Sequence, residues 1–195
     1  MADLDLDPEE IDMTRLEPIL IDAADPAARR LLEKLPPLNV FSTLAHSPAA
    51  LEGFVKMGNA LLYRGSLDPA LRELVILRVG HRCGSAYEVH QHEDAARQVG
   101  LGQEKISCAR TDPNAEVFSP LERASLRYTD EIIDKVKASQ ETFTRLRDML
   151  DEAELVELTL CVGFYTMVAS FLETMEVEIE AANTPGLVFG EQAGQ

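Results

Sequence analysis

Four dipeptides constrain this chain more than anything else in it: Asp25-Pro26, Ser47-Pro48, Asp68-Pro69 and Ser119-Pro120. Each sets a side-chain oxygen acceptor directly before a proline, the arrangement that opens an α-helix. The oxygen satisfies a free N–H of the first turn, and the proline sits where no N–H is needed. Ser119 with Glu122 and Asp151 with Glu154 add capping-box spacing. Between these starts apolar residues recur at helical intervals, as in Leu71, Leu74, Val75, Leu77 and Val79, or Leu121, Ala124, Leu126 and Tyr128. Strand-like alternation is nearly absent. The pattern predicts an all-α, multi-helix protein.

Breaks between helices are weaker signals. Gly80 and Gly84 bracket His81-Arg82-Cys83 and predict an interruption there, and Gly100-Leu101-Gly102 ends the next helix. Thr111-Asp112-Pro113-Asn114 reads as a linker. The expected organisation is an acidic arm over residues 1–25, one helical domain over 26–182 with its core motif at 67–106, and a tail over 183–195. Leu67–Gly80 and Leu150–Gly163 match at six of fourteen positions at constant offset, which leaves open a duplicated helical unit or two buried helices with similar packing.

Charge excludes whole classes of partner. The 195 residues hold 18 basic and 34 acidic side chains, a net −16, and the first 25 residues carry half of that excess. A surface of that sign repels phosphate backbones and anionic lipid, so neither nucleic acid nor membrane is expected as a partner. No basic stretch precedes an apolar one as in a signal peptide. The longest nearly uncharged run, Leu158–Leu172, is too short to span a bilayer and reads as a fully buried helix. Cys83, Cys108 and Cys161 form no Cys-x-x-Cys pair, which argues against a disulfide framework and for a reducing cytoplasm.

Chemistry concentrates in Glu73–His92. On a helix starting at Ser85, the side chains of Ser85, Glu88 and His92 fall within about 60° of one another, while His90 points away. A carboxylate one turn before an imidazole can orient it and raise its basicity. Glu73, inside an apolar stretch, would be a desolvated acid. Glu73, Glu88 and His92 are therefore the candidate catalytic residues, as a proton relay, with Ser85 and Tyr87 as candidate substrate contacts. The competing reading is structural: Ser85 and Glu88 also have capping-box spacing, and a Glu–His pair at i,i+4 is often a surface contact. No metal-ligand motif such as HxxxH or HExxH is present, and neither a metal nor another cofactor is expected.

With those residues in view, Glu73–Ile106 resembles the carboxymuconolactone decarboxylase family, which includes the alkylhydroperoxidase-D-like proteins. Its Cys-Gly-Ser-Ala-Tyr-Glu-Val-His-Gln-His core and Gly100-Leu101 exit carry the likeness. The peroxidase branch has Glu, eleven residues, Cys, two residues, Cys, three residues, His. Without gaps, Glu73 and His92 take the Glu and His positions, and Ser85 and Glu88 stand where the cysteines would be. The resemblance therefore implies a non-CxxC branch. It implies a cofactor-independent enzyme moving protons by a Glu/His relay, in decarboxylation or isomerisation of a small lactone or carboxylic acid. The alternatives are a peroxidase recruiting Cys83 and a non-catalytic helical oligomer. The resemblance also implies self-association as a trimer or hexamer.

Overall fold

In a computed structural model, residues 14–181 and 184–186 are described. They form nine α-helices and no strand: α1 (Pro26–Leu32), α2 (Asn39–Leu44), α3 (Pro48–Asn59), α4 (Pro69–Cys83), α5 (Ala86–Gln98), α6 (Gln103–Thr111), α7 (Pro120–Lys135), α8 (Gln140–Arg147) and α9 (Glu152–Met175). A short 3-10 turn (Ile21–Ala23) precedes α1, and α3 runs on into a π-helical segment, Ala60–Arg64. The protein is all-α, as the helix starts predict. Asp25, Asp68, Ser119 and Asp151 each accept a backbone N–H at their helix N-terminus, and the last two complete capping boxes. Ser47 precedes its proline without a side-chain cap.

Helix α4 is the axis of the fold. Ten consecutive residues, Leu71–Gly80, are buried, so the expected stripe is a helix enclosed on every side. It packs against α5, α6, α7 and α9. One core layer joins Leu71, Val75 and Ile76 to α2, α3, α7 and α9; the other sets Leu74 and Leu77 against Ala96, Ile106, Phe118 and Leu126. Burial of three charged residues within α4 follows from pairing. Arg78 donates from Nε and Nη2 to the two oxygens of Asp130 on α7, both at 2.7 Å. Arg72 lies 3.1 Å from Glu73. The two segments that match in sequence fold as α4 and the first half of α9, and these pack on each other.

Gly80 does not interrupt α4, contrary to expectation. The helix passes through it to Cys83 and stops at Gly84, whose φ of 73° is left-handed. Gly80 serves contact instead: a Cβ there would meet Val89 Cγ2 at 3.0 Å and Val89 N at 3.4 Å, so α5 lies directly against the α4 backbone. Gly80→Val should cost ~1–3 kcal/mol by overpacking, less a few tenths for better helix propensity. A lowered denaturant midpoint is the readout, and an unchanged midpoint would refute the close approach.

Helix α9 also departs from expectation. Leu158, Val162, Tyr165 and Leu172 are buried, but Val156, Leu160 and Met167 are 57%, 44% and 49% exposed. Those three lie on one outward stripe at helical spacing, so the helix is half-buried. The N-terminal side of the described chain is held to its end: Arg15 N donates to Met175 O and the Arg15 guanidinium pairs with Glu176. Residues 1–13 of the acidic arm, and most of the predicted 183–195 tail, lie outside the described residues.

Candidate functional site

Gly84 makes the connection from α4 to α5 a tight one, and α5 packs back on α4. That turn brings Glu73, one-third along α4, beside His92, midway along α5. His92 Nδ1 lies 2.7 Å from Glu73 Oε2, with Arg72 Nε on the other carboxylate oxygen at 3.1 Å. A carboxylate held by a guanidinium accepts, so Nδ1–H donates and Nε2 keeps its lone pair. The imidazole edge meets the Tyr165 ring at 4.9 Å and 88°, which fixes its plane. Glu73 is fully buried and His92 is 4% exposed.

Glu88 lies one turn before His92 and is 2% exposed. Neither of its carboxyl oxygens has a hydrogen-bond partner among the described residues. Burial pushes its pKa well above the ordinary carboxylate range, and the charge of Glu173 adds to this. A buried carboxyl group in that condition is a neutral acid holding a transferable proton. The imidazole is thus oriented by Glu73 across the helix pair, where the sequence pointed to Glu88. Glu88 is left as the unengaged acid.

Both groups open onto a cavity of about 430 Å³ bounded by α3, the π segment, α5 and α9. Its walls are mostly apolar and aromatic, with Phe41, Phe54, Phe164 and Tyr165 prominent. The π segment supplies Leu62 and Tyr63, an irregularity of the kind that recurs at functional sites. The segment after α9 closes one side. Glu180 accepts from Asn39 N at 2.6 Å, from Gln91 Nε2 at 2.6 Å and from the Tyr87 hydroxyl.

The remaining candidates sort clearly. Tyr87 lines the cavity, but its hydroxyl donates to Glu180 and accepts from Val40 N, so it acts as wall. Ser85 is buried, stands outside the cavity lining and makes no side-chain cap; its Oγ is unpartnered among the described residues. The capping-box account of Ser85 and Glu88 therefore fails, because neither oxygen of Glu88 reaches back to a backbone N–H. His90 is exposed and outside the cavity. Among the described residues no three His, Cys, Asp or Glu side chains group as metal ligands. Sequence reasoning missed Glu180 and the aromatic wall. Phe164-Tyr165 inside the uncharged run of α9 was the available signal for the second; nothing marked the first.

The three cysteines are free, and Cys83 does not line the cavity. Burial raises the pKa of the Cys83 thiol, Glu88 raises it further once ionised, and Arg82 only partly opposes them. Cys161 is fully buried and its pKa is raised by the same cause.

Comparisons with known proteins bear on the fold and the family. Residues 48–131 match the model of the carboxymuconolactone decarboxylase family. An uncharacterized protein of Bacillus subtilis (strain 168), YdfG, is 29% identical over 102 residues, 51% of this chain and 69% of its own length. The alkylhydroperoxidase AhpD core of a peroxidase-related protein from Ralstonia eutropha JMP134 superposes with a TM-score of 0.75 at 19% identity, covering 86% of this chain and 92% of that one. The debrominase Bmp8, in complex with 2,3,4-tribromopyrrole, gives 0.70 at 17% identity, covering 85% and 91%. At these identities the structural matches establish the fold. The matched segment and the fold together support the family.

Proposed function

We propose that this chain, whose central segment matches the carboxymuconolactone decarboxylase family and whose fold is that of alkylhydroperoxidase-D-like proteins, is a cofactor-independent enzyme of the non-CxxC branch that moves protons on a small carbonyl compound. The observation that carries the reading is the pairing of unlike groups at one cavity: an imidazole oriented by Glu73, and a buried Glu88 carboxyl with no hydrogen-bond partner among the described residues. An acid and a base held apart in protonation state by their surroundings are what enolisation requires.

In the proposed cycle, His92 Nε2 takes a proton from a carbon beside the substrate carbonyl. As that C–H bond breaks, its electron pair forms the enol double bond and the carbonyl oxygen takes the Glu88 proton. Glu73 stabilises the imidazolium. The enol then collapses: His92 returns its proton to the far carbon of the conjugated system, and the enol O–H returns its proton to Glu88. The net result is isomerisation, with no electrons exchanged. Decarboxylation would use the same enol and the same Glu88 proton, with loss of CO2 from the substrate carboxylate replacing the first C–H cleavage and a proton from solvent water, passed through His92, ending on the carbon that lost it.

Cyclohex-3-enone tests this, its conversion to the conjugated isomer followed by ultraviolet absorbance and its α-carbon by deuterium uptake. Acceleration over buffer is expected from the wild type and from Cys83→Ser alike. Consumption of a hydroperoxide by the wild type that is lost in Cys83→Ser would favour the peroxidase-like alternative, in which Cys83 acts; its raised thiol pKa and its place off the cavity weigh against that. No acceleration by the wild type on this or other enolisable ketones would leave the non-catalytic reading.

The reading takes the protein as a soluble cytoplasmic homo-oligomer, a trimer or hexamer, associating through the exposed stripe Val156, Leu160 and Met167 on α9. Exposed apolar stripes of this kind mark interfaces. Leu160→Glu with Met167→Glu should reduce the mass seen by light scattering to that of a protomer; an unchanged mass would remove α9 as the interface.

A further inference from the structure

Five rings run in unbroken sequence along one wall of the cavity. Phe41 meets Phe54 edge-on at 6.3 Å, Phe54 meets Phe164 at 5.2 Å, Phe164 meets Tyr165 at 5.4 Å, and Tyr165 meets His92 at 4.9 Å. The chain of rings leads from the outer wall to the base. Each contact is tilted or edge-to-face, the stable geometry for packed rings, and such a wall offers π faces and C–H edges to a flat guest. At its inner end stands Glu88, whose two buried oxygens meet no partner among the described residues.

The arginines near the site are already committed. Arg72 faces Glu73, Arg78 grips Asp130, and Arg82 reaches Asp130 at 2.9 Å and Asp134 at 2.6 Å. None of the three lines the cavity; among its described lining residues Lys34 alone is a lysine or arginine, and it is exposed. A guest carboxylate would be stripped of water beside Glu88, with Glu73 behind His92 and no guanidinium to meet it. That is the situation in which burying a charge is most costly.

Resting on the proton-transfer reading, we infer that the substrate is uncharged: a flat, mostly apolar molecule of one or two rings, with a single oxygen that accepts the hydrogen bond Glu88 has to give. The anionic lactone acid implied by the family resemblance does not suit this cavity. Glu88 is the buried lining carboxyl without a partner among the described residues, the body of the guest rests on rings, and about 430 Å³ accommodates a bicyclic compound.

Two probes of matched shape decide the matter: 2-acetylnaphthalene, a neutral ketone, and 2-naphthoate, its anionic counterpart. Binding is measured at pH 7 by saturation-transfer NMR and calorimetry on the full chain. The ketone should bind at least about tenfold tighter than the carboxylate, reflecting the uncompensated desolvation of the anion. Glu88→Leu should weaken binding of the ketone by deleting its donor, and Phe164→Leu should weaken both probes. Equal or tighter binding of naphthoate, no binding of either probe, or ketone binding unchanged in Glu88→Leu would each overturn the inference. Because no turnover is measured, its failure is separable from that of the relay. A ketone-selective cavity in a protein that moves no proton would sink the mechanism and leave the substrate class standing.

Discussion

Replacing His92 by glutamine lowers turnover by roughly two to four orders of magnitude, the usual worth of general acid–base catalysis. Glutamine keeps the bulk and can still accept or donate a hydrogen bond, so the Glu73 carboxylate is not left empty. What disappears is a group that can take a proton. The thermal midpoint should move little, and His90→Gln, on the exposed side of α5, should leave the rate unchanged. Glu73→Gln should give a smaller loss, because the imidazole survives but its tautomer and its cationic form are no longer held. A His92→Gln protein with wild-type turnover would remove the imidazole from the mechanism.

Glu88→Gln should act in opposite directions on stability and activity. Below the ordinary carboxyl pKa, Glu88 is protonated in both the folded and the unfolded chain and contributes no pH dependence. As pH rises through that value the unfolded chain releases the proton while the folded chain keeps it, since burial has raised the folded pKa. The folded state then binds more protons, and stability falls with pH until the folded group itself ionises. Glutamine is neutral throughout. The variant should therefore gain on the wild type as the pH is raised from about 4 to about 8, by about 1.4 kcal/mol for each pH unit over which the unfolded group is ionised and the folded one is not. Turnover should fall in the same protein. Denaturant titrations at the two pH values give the test. A difference that does not widen with pH would mean Glu88 is not a neutral buried acid.

The helical phase of α5 was readable from the sequence because a regular helix converts spacing directly into direction. Glu88 and His92 share the cavity, and His90 lies off it, for that reason alone. Which carboxylate holds the imidazole was not readable. Glu88 is its neighbour in sequence, but Glu73 is brought to it by the packing of α5 on α4, and that depends on Gly80 leaving room for Val89. Ser85 shows the limit of motif reading: Ser-x-x-Glu describes a capping box only when the serine oxygen faces the helix N–H groups, and here it does not. The continuous helix through Gly80 was likewise hidden, since a glycine signals a break and a close contact with the same letter. Helix α9 was misjudged because composition reports how apolar a helix is and not how many of its faces find neighbours.

The strap ending at Glu180 orders events in time. Its carboxylate joins the start of α2 to α5 across 141 residues of chain, and it is synthesised after all nine helices. Contacts so distant in sequence form late, once loop closure has been met by nearer ones. A nascent chain halted before Glu180 would hold the nine described helices and the His92–Glu73 pair, yet leave Tyr87 and Gln91 in the cavity wall without the carboxylate that holds them. The contacts that hold this wall of the cavity are thus deferred until the nine described helices are already in place.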